Sequence, residues 1–320
     1  MKASQYGSRR VWPPLLGVMG VVLLSSLTDC SGKSPFGTEM VPPPTIKDAV
    51  YVGWKTCLEC HEDEHKSMER TLHGKVLATG VSRTDLQRHG CEACHGPGSK
   101  HEHDPTDPDT IIKLGPKSPQ PALAQNAMCL QCHTKGRRNE WHGSPHEIRD
   151  VSCTSCHSVH ASKTLKADLN VPTQLQLCGQ CHQIPAAAAY NWSHHPIREG
   201  KMQCADCHNV HGTITEKLIP DNSINEACYR CHADTRGPFL WEHAPVRENC
   251  LNCHLPHGSN NVRLLRLRAP RICQECHNEA GHPSAAFSNL ADRRLLTRAC
   301  LNCHMNIHGS NHPSGFALTR

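Results

Sequence analysis

The sequence predicts a mostly irregular fold with short α-helices and little or no β-sheet. The motif Cys-x-x-Cys-His occurs ten times in 320 residues. Aromatic residues make up 4% of the chain and hydrophobic residues 37%, which is little for an ordinary apolar core. No segment shows the alternation of a half-buried strand, and Pro or Gly interrupts the stretches between motifs. The chain is therefore expected to fold around groups that the motifs bind.

The Cys-x-x-Cys-His motif is the attachment site of c-type haem. Its two thiols bond the haem vinyl groups, and its histidine is the proximal iron ligand. Zinc sites and redox dithiols also use Cys-x-x-Cys, but they need no histidine directly after it. Twenty of the 21 cysteines belong to the motifs. We therefore predict an extended multihaem c-type cytochrome with ten covalent haems.

The motifs supply two sets of predicted haem ligands. The haem-bonding cysteines are Cys57, Cys60, Cys91, Cys94, Cys129, Cys132, Cys153, Cys156, Cys178, Cys181, Cys204, Cys207, Cys228, Cys231, Cys250, Cys253, Cys273, Cys276, Cys300 and Cys303. The proximal histidines are His61, His95, His133, His157, His182, His208, His232, His254, His277 and His304.

Haem also accounts for the unusual composition. Ten apolar macrocycles can form the interior, so we expect folding to depend on cofactor attachment, as it does in small metal-dependent domains. Two propionates per haem would reverse the formal charge of +5. The basic balance therefore does not indicate nucleic-acid binding, and many Lys and Arg side chains are expected to face propionates.

The N-terminal region resembles an export signal. Residues 1–29 begin with Lys2, Arg9 and Arg10 and continue into an apolar stretch shorter than a membrane span. Cys30 follows Leu27 as in a lipoprotein cleavage box, although Asp29 is not the small residue expected before it; the alternative is a cysteine lost with the signal. Residues 30–50 are predicted to be a Pro-, Gly- and Ser-rich tether, and residues 51–320 the decahaem domain.

The motifs form five consecutive pairs, here called units one to five, each with a first and a second motif. Each unit has a histidine between its motifs and another shortly after the second motif, which supplies ten candidate distal ligands. They are His73, His142, His195, His243 and His282 between motifs, and His101, His160, His211, His257 and His308 after the second motif. Six histidines remain spare, and of these His103, His146 and His194 compete with His101, His142 and His195. The other three spare histidines are His65, His89 and His312.

These numbers predict two histidine ligands for every iron. His211 follows His208 by three residues and starts from the same haem face, so it should serve a neighbouring iron. We expect ligands to cross within each unit, the later histidine binding the first iron and the middle histidine the second. Each motif should lie on a short helical turn, and longer helices are expected over 58–72, 224–232 and 289–301.

The chain resembles a known family, the decahaem periplasmic cytochromes MtrA, PioA and DmsE, which consist of paired CXXCH repeats. The resemblance runs from Tyr51-Val52-Gly53 to the last motif. It is most specific in CEACHGPGSKH, which starts at Cys91, and in CHADTRGPFLWEHAPVRENCLNCHLPHGS, which ends at Ser259.

The resemblance implies an extended haem chain that docks into an outer-membrane β-barrel porin. It also implies a surface multihaem cytochrome as a partner, and a periplasmic or inner-membrane cytochrome as a redox partner. The expected location is the periplasm in association with the outer membrane. Lipid at Cys30 would be an added anchor, which the N-terminal sequence offers and the resemblance does not imply.

Closed bis-histidine irons have no site for a substrate, so we expect an electron-transfer protein and not an enzyme. The resemblance implies that it conducts electrons across the outer membrane. The alternatives are a multihaem reductase of the nitrite or hydroxylamine type, which would need an open iron, and a subunit of a haem filament.

Overall fold

The structure, a computed structural model, describes residues 41–78, 84–277 and 300–319. Within them, regular structure consists of short helices, and β-pairing is limited to isolated bridges such as Ser193 with Ser259. The α-helices are α1 (Trp54–Leu58), α2 (Glu62–Met68), α3 (Leu72–Ala78), α4 (Asp85–Arg88), α5 (Glu92–His95), α6 (Ser99–His103), α7 (Ala122–Leu130), α8 (Pro145–Ile148), α9 (Gln174–Gly179), α10 (Gln183–Ala188), α11 (Ile224–Tyr229), α12 (Ala244–Glu248) and α13 (Arg271–Gln274). The predicted fold class is confirmed.

The two motifs of a unit begin on different kinds of helix. The first motif starts near the end of an α-helix, namely α1, α7, α9, α11 or α13. In units two to five the second motif starts a 3₁₀-helix. The 3₁₀-helices are Pro108–Thr110, Gly136–Arg138, Cys153–Ser155, Cys204–Asp206, Glu216–Leu218, Ala233–Thr235, Cys250–Asn252, Val262–Leu264, Cys300–Asn302 and Gly315–Ala317.

The longer helices expected from the sequence have mixed outcomes. The one expected at 224–232 forms as α11 but ends at Tyr229. The one at 58–72 is wrong in extent, because the chain forms α1, α2 and α3 instead. The first break falls at the end of the motif, where His61 leaves the helical region with φ −116° and ψ 41°. The helix expected at 289–301 falls mostly outside the described residues.

A loop returns onto the second motif in every unit and supplies much of the small apolar core. In units two to four the loop contains residues with left-handed backbone, such as Lys217 (φ 57°) and Arg263 (φ 57°). L-residues adopt this conformation only at a cost of about 1–2 kcal/mol each, so the surrounding hydrogen bonds must maintain it. Each loop buries one aliphatic side chain against its motif: Ile112, Leu169, Ile219, Leu265 and Leu318.

Unit one is held together by a buried carboxylate within its second motif. Glu92 is 2% exposed and accepts hydrogen bonds from the backbone N–H groups of Val52, Gly53 and Gly98 at 2.8–3.0 Å. These bonds compensate the cost of burying a charged side chain. They fix the segment that leads into the first motif against the second motif.

Three further expectations concern residues that the structure does not describe. The export signal at 1–29, Cys30 with most of the tether, and His282 lie outside the described ranges. Within the described ranges, every helix falls short of the length and apolar content needed to cross a bilayer.

Candidate haem-binding sites

Each of the ten motifs forms one closed helical turn. The backbone N–H of the motif histidine donates to the carbonyl of the first cysteine, four residues earlier, at 2.8–3.1 Å in all ten. A turn of this kind places residues three and four apart on one side of the backbone. Two sulfurs and an imidazole can therefore face one planar ring, which is what covalent haem requires. The expected helical turn is confirmed.

The first cysteines of the two motifs in a unit lie in contact. A hydrogen bond with Cys91 raises the pKa of the free Cys57 thiol, and burial raises it further. The same type of contact recurs in all five units, so the two attachment points of a unit are adjacent. The pairs are Cys57 with Cys91, Cys129 with Cys153, Cys178 with Cys204, Cys228 with Cys250 and Cys273 with Cys300.

Cysteines also approach one another between successive units. Burial, followed by the charges of Cys129 and Cys132, raises the pKa of the Cys94 thiol to about 11. The equivalent neighbours are Cys156 with Cys181, Cys207 with Cys228 and Cys231, and Cys253 with Cys276. Together with the contacts inside units, these neighbours connect all ten attachment points in the order of the sequence.

Nine proximal histidines face a second histidine at a nearly constant distance. The ring centres lie 5.7–6.3 Å apart in the pairs His61 with His101, His73 with His133, His95 with His160, His146 with His182, His157 with His211, His195 with His232, His208 with His257, His243 with His277 and His254 with His308. Two imidazoles on opposite sides of one metal, each at a bond length of about 2 Å, would have ring centres about 6 Å apart. The spacing fits one iron between each pair.

The pairs do not follow the crossing expected within each unit. Except for His61 with His101, every observed pair joins neighbouring units. A middle histidine faces the first motif of the following unit, as His73 faces His133. A later histidine faces the second motif of the preceding unit, as His211 faces His157. In units two to five, a later histidine faces the proximal histidine of a neighbouring motif, as expected, but that motif lies in another unit.

In unit two the structure brings His146, and not His142, to a proximal histidine. His146 faces His182, whereas His142 donates from Nδ1 to the buried carboxylate of Glu147 at 3.0 Å. The sequence contains a signal for this choice. His146 lies seven residues before Cys153, just as His243 lies seven residues before Cys250.

The other competing histidines lie as expected. His101 faces His61 and His195 faces His232. His194 uses both ring nitrogens elsewhere, on the Asn191 carbonyl at 2.6 Å and the Glu199 carboxylate at 3.1 Å. Among the remaining spare histidines, His65 stacks on Trp54, His89 stacks on Tyr51, His312 accepts from the Ser314 N–H, and His103 is exposed.

Hydrogen bonds fix the tautomer of the proximal histidines in the second motifs. Their Nδ1 atoms lie 2.5–2.8 Å from backbone carbonyls of the returning loops. A carbonyl oxygen only accepts, so Nδ1 carries the proton and Nε2 is left free to bind a metal. The pairs are His95 with Ile112, His157 with Ala167, His208 with Lys217, His254 with Arg263 and His304 with Ala317.

Two middle histidines have the same arrangement through the next unit. His146 donates to the Val210 carbonyl at 2.7 Å, and His195 donates to the Pro256 carbonyl at 2.8 Å. His73 differs, because its Nδ1 lies 3.3 Å from the carboxylate of Asp168. The sequence pattern did not single out Asp168, which contacts a candidate ligand 95 residues away.

The later histidines are placed by glycines that follow them. A Cβ at Gly212 would overlap the carbonyl of Glu140, and a Cβ at Gly258 would overlap that of Ala188. Both glycines have positive φ, 124° and 146°. This close backbone approach brings His211 and His257 onto the preceding unit, where they meet His157 and His208.

Loss of contact with solvent favours the neutral form of seven candidate ligands. It lowers the pKa of His211 to about 4, with His157 and Arg138 contributing further. Desolvation also lowers the pKa of six other candidate ligands: His95, His133, His160, His243, His257 and His308. A neutral imidazole presents the lone pair that a metal needs.

Comparison with known proteins agrees with this geometry. The doubled CXXCH motif family matches residues 194–237 and 243–282, and the NrfB-like cytochrome c family matches residues 91–181. Each doubled-motif match contains one complete histidine pair, His195 with His232 or His243 with His277. The family repeat thus starts at the middle histidine, one motif later than the units defined above.

Among curated proteins, the multiheme cytochrome MtrA of Shewanella baltica is 44% identical over 278 residues, covering 84% of this chain and 81% of that protein. NrfB of Escherichia coli is 27% identical over 135 residues, 39% of this chain and 63% of that protein. NrfB of Haemophilus influenzae is 23% identical over 199 residues, 50% and 86% of the respective chains. The extent of the first match shows that this chain belongs to the MtrA family of multihaem c-type cytochromes, which bind haem through CXXCH motifs and transfer electrons.

Proposed function

We propose that the chain binds ten haems, each with two histidine ligands, and conducts electrons along them. The observation that carries the proposal is the set of nine histidine pairs at the spacing of two ligands on one iron. An iron closed by two imidazoles exchanges one electron without needing a free coordination position. Irons are numbered one to ten in the order of the motifs.

The ligand assignment follows from the pairs. The distal ligands of irons one to nine are His101, His160, His73, His211, His146, His257, His195, His308 and His243, in that order. At iron ten we assign His282 to His304 by elimination. Most irons take their distal histidine from a neighbouring unit. At each end of the chain there is no further unit, so one iron and one candidate histidine remain without such a partner. Iron one takes the leftover His101 within its own unit, and iron ten would take His282 in the same way.

Conduction requires that no haem be isolated from the next. The cysteine neighbours support this, because they connect the attachment points of consecutive motifs without a gap from Cys57 to Cys300. Each intervening peptide is short, and ligands from adjacent units bind irons on either side. Ten haems in this order would extend beyond the hydrocarbon core of a bilayer, which is about 30 Å thick.

We further propose that the chain works in the periplasm at the outer membrane, within a porin that carries a surface cytochrome on its outer side. The basic and apolar N-terminal sequence supports export. Cys30 in its lipoprotein-like setting supports an anchor. The porin is what the family resemblance of the sequence implies, and the similarity to MtrA over most of both chains supports that family.

The ligand proposal is tested by two neighbouring variants. His146→Ala should leave the mature protein with ten haems and convert one of them to a high-spin state in the oxidised form. His142→Ala removes a histidine of the same unit that faces no proximal histidine and should leave all haems low-spin. Mass measurement gives the haem number and electron paramagnetic resonance gives the spin state. A high-spin signal from His142→Ala alone would refute the assignment, and one in the wild-type protein would favour a reductase.

The cellular role is tested by purification from outer membranes with the tag on the mature C-terminus. We expect a large β-barrel protein to co-purify in constant ratio. Palmitate labelling of the wild type, but not of Cys30→Ser, would establish the anchor. A protein recovered only from the soluble periplasm, with no barrel, would contradict the trans-membrane role.

A further inference from the structure

A pair of buried hydrogen-bond donors lies between the third and fourth iron positions without an acceptor. Trp141 is 6% exposed, and its Nε1 atom has no hydrogen-bond partner among the described residues. The Nε atom of Arg138, three residues earlier, is likewise buried and unpartnered within that part of the chain. Leaving a buried donor unsatisfied is costly, and more so for a charged group. Two such donors in one turn indicate a missing acceptor.

The surroundings show where that acceptor would lie. The Trp141 ring centre is 6.3 Å from that of His211, the ligand assigned to iron four. Arg138 follows His133, the proximal ligand assigned to iron three, by five residues in the chain.

The backbone holds this turn firmly. The Trp141 N–H donates to the Arg138 carbonyl at 3.0 Å, and the Asn209 side-chain amide donates to the Arg137 carbonyl at 2.9 Å. Gly212 packs against Glu140 in the same contact. The donors therefore sit on a rigid connection between unit two and the second motif of unit three.

We propose that Arg138 and Trp141 bind a haem propionate between irons three and four. This inference rests on the proposed haem content. A carboxylate fits both donors, because arginine pairs with it through a charge-assisted hydrogen bond and indole N–H is a donor only. Binding neutralises part of the propionate charge beside the irons and so raises the potential of the haem that bears it.

Trp141→Phe is the decisive variant, because it removes one N–H and no charge. If the indole binds a propionate, the variant lowers the midpoint potential of one haem component in a spectroelectrochemical titration. Arg138→Gln should lower the same component further, since a positive charge is also lost. The matched control is Trp192→Phe in the next unit, whose side chain is 71% exposed and whose loss should leave the titration unchanged.

The haem content of each variant is measured by mass on the same samples. Fewer than ten haems in the wild type would overturn the proposed function, whereas ten haems with an unchanged Trp141→Phe titration would overturn only this inference. If the variants fail to mature, an experimental structure of the wild-type holoprotein decides. A propionate oxygen within hydrogen-bonding distance of Trp141 Nε1 supports the inference, and a water or a protein oxygen there refutes it.

Discussion

Replacing Asp168 with Asn should raise the reduction potential of iron three alone. Asp168 contacts the Nδ1 atom of His73 at 3.3 Å, and its side chain is 14% exposed. A carboxylate at this point stabilises the ferric state, which carries one more positive charge than the ferrous state. Asn keeps the shape of the side chain and tolerates the left-handed backbone of Asp168 (φ 46°), so the change removes charge with little strain.

The size of the shift follows from distance. Adding the imidazole width and a metal–nitrogen bond of about 2 Å to the hydrogen bond places the carboxylate about 7 Å from the iron. One unit of charge at that distance is worth about 0.6–2.4 kcal/mol for effective dielectric constants between about 80 and 20. At about 59 mV per 1.4 kcal/mol for one electron, the expected rise is about 25–100 mV. The low exposure of Asp168 favours the upper part of this range.

The assay is a spectroelectrochemical titration of the mature protein, in which one haem component of ten should move upward. Glu199→Gln is the control, because Glu199 bonds His194, a histidine that faces no proximal histidine. Glu199→Gln removes the same negative charge as Asp168→Asn, but beside a histidine that is not an assigned iron ligand. Superimposable curves for Asp168→Asn and wild type would refute the view that Asp168 acts on an iron ligand. Equal shifts in both variants would show that the potential responds to the loss of any negative charge and not to the contact between Asp168 and His73.

Two further predictions follow from the geometry. Gly258→Ala should reduce haem loading and the unfolding midpoint more than Gly115→Ala. Both glycines have positive φ, but of the two only a Cβ at Gly258 would meet backbone, at Ala188, and such overpacking costs about 1–3 kcal/mol. Equal losses in both variants would refute the role of Gly258 in docking one unit on the next. The electron paramagnetic resonance spectrum of the oxidised protein should contain two classes of low-spin haem, because five ring pairs are nearly parallel at 14–24° and four are steeply crossed at 53–77°. Two parallel imidazoles interact with the same iron d orbital, whereas two crossed imidazoles interact with two different d orbitals. A spectrum with a single class of low-spin haem would therefore contradict the ring geometry.

The sequence was sufficient for features that depend on local spacing. Ten motifs, their helical turns and the absence of a sheet in the described residues follow from residues at most a few positions apart. The choice of ligand partners does not. His73 meets His133 60 residues later because returning loops and glycine contacts such as Gly212 on Glu140 join different units. Sequence reasoning assumed that each pair of motifs closed on itself and therefore assigned partners to the wrong neighbours.

Asp168 is a second feature that local sequence spacing could not reveal. Nothing in its own neighbourhood marks it, since it lies in a turn whose sequence differs from unit to unit. Its role depends on the unit-one histidine, which reaches it only when the units are assembled. His146, by contrast, could have been found by counting back from the next motif instead of forward from the previous one, because that spacing equals the spacing of His243.

Because neighbouring units exchange ligands, we expect a shortened chain to keep its last iron fully ligated where a single substitution in the full chain does not. In the proposed assignment, iron eight takes His308 from unit five, and iron nine takes His243 from unit four. In the full chain, His308→Ala should therefore open iron eight and give one high-spin haem, because His243 is held by iron nine. A chain ending at residue 268 also lacks His308, but it lacks iron nine as well, which releases His243.

Iron eight and His243 would then be the leftover iron and ligand at the new end, equivalent to iron ten and His282 in the full chain. We expect the truncated protein to contain eight haems, all low-spin, so that removing a whole unit does less damage to the last iron than removing one side chain. Haem number by mass and spin state by electron paramagnetic resonance check this. Eight haems with one high-spin centre would show that the last iron does not take the remaining histidine of its own unit. That would contradict the arrangement inferred from His61 and His101.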